Sequence, residues 1–75
     1  MSDKENGYAV NVYRVDIEGK DAFELYVVSA ERQTLAVEAG LKRYHEEHGE
    51  GTARRCRIYT LTGELLIDKF LGGHP

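Results

Sequence analysis

The chain has one cysteine, one proline, no tryptophan, and no apolar run near the ~20 residues that a membrane-crossing helix needs. The single cysteine, Cys56, excludes an internal disulfide. The opening Met1-Ser2-Asp3-Lys4-Glu5-Asn6 lacks the basic and apolar segments of a secretory leader. The expectation is a soluble protein in a reducing, cytoplasmic setting. A basic excess is missing too: the formal net charge is −3, which weighs against a generic phosphate-binding coat. Gly7, Gly19, Gly49, Gly51 and Gly63 are dispersed, and none forms a phosphate-cradling loop ahead of a helix.

What is present reads as one small folded unit. With 75 residues the chain sits near the lower size at which a single hydrophobic core holds without staples, so a large buried cavity is not expected. Hydrophobic residues at 41% and charged residues at 31% match ordinary globular usage, which excludes wholesale disorder. Residues 1–7 are polar and read as a disordered segment, 8–71 as a single domain and 72–75 as a flexible tail.

Two β-branched, apolar stretches precede a helical one, and two more follow. Tyr8 to Ile17 and Ala22 to Ser29 read as a hairpin turning at Glu18-Gly19-Lys20-Asp21. Pairing Ile17 with Phe23, Val15 with Leu25 and Tyr13 with Val27 makes one face continuously apolar, through a loop of about five residues. The helix is expected to start after Ser29 as N-cap, with Glu31 in its first turn, and to run to His48 with Gly49 as its stop. Ala30, Thr34, Val37, Leu41, Tyr44 and His48 then share a stripe, and Gly40 beside it permits close approach to the sheet. Ala53 to Leu61 and Glu64 to Leu71 form the second hairpin around Thr62-Gly63, with Thr60 opposite Leu65, Ile58 opposite Ile67 and Arg57 opposite Asp68.

The expected fold is α+β: ββαββ, a four-stranded sheet with one helix packed on one face. The layout is β-grasp-like, with first and last strands parallel at the centre. Val15, Leu25, Cys56, Ile58, Leu65 and Ile67 are expected beneath the helix.

From Thr34 onward the residues Thr34, Ala36, Ala39, Ile58, Gly63, Ile67, Gly72 and Pro75 follow an order of alanine-rich helix, apolar strand, Gly-ended turn, Ile-containing strand and aromatic-Gly-x-x-Pro close. In this the chain resembles a family of small bacterial ββαββ proteins, over about half its length. It departs where the second strand has Leu25-Tyr26 in place of the family's Trp, and at Phe70-Leu71-Gly72-Gly73-His74-Pro75, which holds an extra apolar residue. The resemblance implies the fold and carries no activity.

No residue constellation reads as an enzyme. His45-Glu46-Glu47-His48 spaces its histidines by three where a metalloprotease helix needs four, so a polar last helical turn is favoured and no metal is expected. Arg55 and Arg57 flank Cys56 and would lower its thiol pKa, but strand alternation turns them to the other face, leaving Cys56 a small core residue. Leu71-Gly72-Gly73 invites comparison with the diglycine tails of ubiquitin-like carriers, but His74-Pro75 follows it. No cofactor is expected.

The remaining feature is the sheet face away from the helix. Val10, Val12, Arg14, Tyr26, Val28, Arg55, Arg57, Tyr59, Leu61, Leu66 and Phe70 are assigned to it. So rich a mixture of aromatic, β-branched and Arg side chains favours a contact surface over the alternative, a solvated sheet merely stabilised by bulky β-formers. The expected function is a non-enzymatic interaction module, either a homodimer or a binder of another protein. The alternative is nucleic-acid binding, with Tyr26, Tyr59 and Phe70 stacking on bases and Arg14, Arg54, Arg55 and Arg57 meeting phosphates.

Overall fold

The computed structural model describes residues 11–71. The disordered segment expected at 1–7, the first residues of strand one with Val10, and the Gly72-Gly73 tail lie outside the described residues. Five elements follow one another: β1 (Asn11–Gly19), β2 (Phe23–Ala30), α1 (Gln33–His48), β3 (Ala53–Thr60) and β4 (Leu65–Phe70). They form an α+β fold of order ββαββ, one four-stranded sheet with the helix on one face. No helix among the described residues is long and apolar enough to cross a membrane.

Strand order is β2-β1-β3-β4 and every neighbouring pair is antiparallel. The expected parallel pairing of first and last strands at the centre is therefore replaced by β1 against β3, with β4 outside. The residues explain this choice. β3 buries Ala53, Cys56 and Ile58 and so suits a central place, whereas β4 is short and carries Asp68 and Lys69, which suit an edge.

The first hairpin is tighter than expected. Gly19 N–H donates to the Ala22 carbonyl at 2.8 Å, closing a turn through Lys20 and Asp21. Glu18 then pairs with Phe23, Ile17 with Glu24, Val15 with Tyr26 and Tyr13 with Val28. This is a slip of one residue from the expected register, and it exchanges the faces of β2. Tyr26 and Val28 are buried under the helix, while Leu25 is exposed, a correction to both assignments.

The second hairpin keeps Ile58 opposite Ile67 and Arg57 opposite Asp68, as expected. It turns through Leu61, Thr62 and Gly63, with Gly63 at φ 103, where a side chain would be strained. The register shifts between Ile58 and Tyr59, so Leu65 falls opposite Tyr59 instead of Thr60 and is half exposed.

The helix starts at Gln33, not after Ser29. Ser29 and Ala30 stay in β2, Arg32 occupies the N-cap without a side-chain cap bond, and Glu31 precedes the helix. Its end is as expected: Gly49, at φ 97, donates its N–H to the His45 carbonyl at 2.8 Å. Val37 and Tyr44 of the expected stripe are buried, and Ala36 and Gly40 join them. These two small residues bring the helix axis close over Val15 and Ile17; a Cβ at Gly40 would lie 2.6 Å from Val15 Cγ1. Tyr13, Val15, Ile17, Tyr26, Val28, Cys56 and Ile58 complete the core beneath it.

Candidate functional site

Among the described residues, no helix lies on the reverse of the sheet. β1 turns Val12, Arg14 and Asp16 to this face, and β3 turns Arg55, Arg57 and Tyr59 to it by the same alternation. On β4, Asp68 opposes Arg57 and Phe70 opposes Arg55, while the register shift sets Leu65 and Leu66 together beside Tyr59. Of the residues assigned to this face from the sequence, Val12, Arg14, Arg55, Arg57, Tyr59 and Phe70 are brought together, while Leu66, at the bulge, is half buried against the core cluster and Leu61 stands exposed in the second turn. Tyr26 and Val28 do not reach this face, because the one-residue slip of β2 takes them to the helix side.

The same slip delivers three residues that sequence reasoning placed in the core. Phe23, Leu25 and Val27 stand in a row along β2 with 57%, 49% and 59% of their surface exposed. They form an apolar stripe at one side of the face, and Phe70, at 73%, stands at the other. The signal that finds the stripe is turn length: a two-residue turn at Lys20-Asp21 forces this register, and a five-residue loop forces the other.

Between the two apolar margins lies a band of prearranged charge. Asp16 is only 8% exposed although it faces away from the helix. Arg14 covers it, donating from Nε to Oδ1 at 3.1 Å and from a terminal nitrogen to Oδ2 at 3.3 Å. The same guanidinium lies 4.1 Å from the centroid of the Tyr59 ring. On the other side Arg55 grips Asp68 with two bonds of 2.8 and 2.6 Å and stacks 4.7 Å over Phe70. Arg57, directly across from Asp68, reaches it only at 3.7 Å. The Arg55 contact holds the Asp68 carboxyl below its ordinary range, and Asp68 in turn raises the Arg55 guanidinium.

Arg54 does not belong to this group. Its guanidinium donates to the Gly51 carbonyl at 2.9 Å, in the loop after the helix.

On the helix side, His48 does acquire acidic neighbours, but His45 does not join it. His48 Nε2 lies 2.8 Å from Glu24 Oε2, and the Tyr26 hydroxyl donates to Glu47 Oε1 at 2.8 Å. Glu24, Glu47 and His48 bring one ligand atom each within 4.8 Å of one another. These bonds fasten the last turn of α1 to β2. Burial, then the Glu47 bond, pushes the Tyr26 phenol well above its usual range.

Cys56 is fully buried at the centre of the sheet, and burial pushes its thiol up to about 11. A thiol so held keeps its proton at neutral pH, the weakly nucleophilic form. The flanking Arg55 and Arg57 stand on the opposite face, as strand alternation requires.

Compared with known proteins, the chain matches no family model, no curated protein and no solved structure.

Proposed function

We propose that this protein is a non-enzymatic interaction module that associates with a second copy of itself through the uncovered sheet face. The observation that carries the reading is the Phe23, Leu25 and Val27 stripe, about half exposed in each case and contiguous along one strand. Sheet residues of this kind gain stability only when a partner removes them from water, at roughly 25 cal/mol per Å² of apolar area. A small domain with a limited core benefits directly from such association.

The charged band favours a protein partner over nucleic acid. Arg14 and Arg55 are already bonded to Asp16 and Asp68, so phosphate contact would have to displace carboxylates. Paired arginines lying on aromatic rings are the common furniture of protein interfaces. The free thiol of Cys56 accords with a reducing, cytoplasmic location.

The test is sedimentation velocity on the wild type and on Leu25→Lys. At about 10 µM the wild type is expected to sediment as a dimer and Leu25→Lys as a monomer with an unchanged circular dichroism spectrum. Dimers of equal stability in both proteins would contradict the role of the stripe.

A further inference from the structure

Among the described residues β2 is an edge of the sheet, and the backbone groups it leaves unpaired follow from one hydrogen bond. Gly19 and Ala22 form a bonded pair of the β1–β2 ladder. Bonded and non-bonded pairs alternate along an antiparallel ladder, so Glu24, Tyr26 and Val28 bond to β1. The N–H and C=O groups of Phe23, Leu25 and Val27 therefore point outward. The residues that expose apolar side chains on the uncovered face also present the free backbone.

The two edges of the sheet are protected unequally. β4 spans 6 residues, includes Asp68 and Lys69, and shifts register against β3, all features that discourage pairing with another chain. β2 spans 8 residues in unbroken register with β1. Its one charged side chain, Glu24, is drawn toward His48.

We propose that β2 pairs antiparallel with β2 of a second copy about a two-fold axis at Leu25, joining two four-stranded sheets into one continuous sheet. This deepens, and rests on, the self-association reading above. The axis sets Leu25 against its own copy and Phe23 against Val27 of the other chain, so each stripe is covered along its outer flank by the apolar side chains of the other. About six main-chain hydrogen bonds form between the two segments from Phe23 to Val27. Moving the axis one residue to Tyr26 would instead set Phe23 against Ser29 and break the apolar match.

Charge complementarity on the helix side favours the same occupant. With the axis at Leu25, Glu24 falls opposite Tyr26 of the second copy. Arg43 lies 4.8 Å over the Tyr26 ring and pairs with no carboxylate among the described residues. Each Arg43 thus meets Glu24 of the other chain, and symmetry makes the contact twice.

The experiment is amide hydrogen exchange on the full chain at a dilute and a concentrated condition, alongside sedimentation. The amides of Phe23, Leu25 and Val27 are expected to gain at least about tenfold protection as the dimer forms, with Leu66, Asp68 and Phe70 unchanged. Val27→Pro removes an outward N–H and spares the ladder to β1, so it is expected to give a folded monomer. A wild-type dimer whose Leu25 and Val27 amides stay unprotected, or a folded Val27→Pro dimer, would overturn the edge pairing and leave docking through the face standing. A wild type that stays monomeric would overturn both. If Val27→Pro fails to fold, the wild-type exchange pattern alone decides.

Discussion

Arg14 and Asp16 lie on the same face of the same strand, and the guanidinium bonds both carboxylate oxygens at 3.1 and 3.3 Å while resting on Tyr59. The carboxylate is nearly buried, and the arginine is what makes that burial tolerable. Removing Arg14 leaves a desolvated charge, whereas removing Asp16 leaves an arginine that can turn to water. Arg14→Ala is therefore expected to destabilise more than Asp16→Ala, and a double-mutant cycle to show a coupling of about 1 to 2 kcal/mol. Urea titrations of the four proteins measure it; additive losses would show that the pair is not an energetic unit.

At Gly40 α1 lies close against Val15 and Ile17 of the sheet. Alanine there gains about 1 kcal/mol in helix propensity, yet its methyl would meet Val15 Cγ1 at 2.6 Å. Val15 is fully buried and β-branched, so it has little freedom to give way. Gly40→Ala is expected to lose about 1 to 3 kcal/mol net, read as a lower urea midpoint. A gain in stability would mean that the helix rides higher over the sheet.

Tyr44 is fully buried, and its hydroxyl donates to the Ala22 carbonyl at 2.9 Å, tying the helix to the first turn. Ala22 also accepts from Gly19, so Tyr44→Phe strands no acceptor. The expected cost is about 0.5 to 1.5 kcal/mol by thermal or urea unfolding. A cost above about 3 kcal/mol would imply that the hydroxyl organises more of the turn than this one bond.

Cys56 makes stability fall at alkaline pH. Its thiol ionises near 9.0 when unfolded and at about 11 in the fold. Between those values the unfolded chain has released a proton that the folded chain still holds, so rising pH favours unfolding. The contribution is whole below pH 9 and declines toward pH 11, by about 2 to 3 kcal/mol across the window. Cys56→Ala is expected to be less stable at pH 7 but to show a shallower decline from pH 9 to 10.5. Parallel slopes for the two proteins would contradict the assignment.

Much of this architecture was legible before the structure was known. Element order, the helix end at Gly49, the close approach at Gly40, the core places of Val15, Cys56 and Ile58 and the opposition of Arg57 and Asp68 all follow from periodicity and turn residues. β2 is ambiguous in the sequence for a specific reason: Phe23, Leu25 and Val27 on one side and Tyr26 and Val28 on the other are both apolar, so the pattern fits either register. The turn decided, by a single hydrogen bond at Gly19. Strand order was equally silent in the pattern, because two hairpins around a helix pack with either β3 or β4 beside β1. The site changed accordingly, losing Tyr26 and Val28 and gaining the Phe23, Leu25 and Val27 stripe.

The most direct test of the docking face is methyl NMR with a water-soluble paramagnetic probe, recorded from about 10 µM to about 1 mM protein. The Leu25 and Val27 methyls are expected to lose broadening as concentration rises, while exposed Leu61, out in the second turn, keeps its own. Equal broadening of Leu25 and Val27 across the whole range would contradict association through this face.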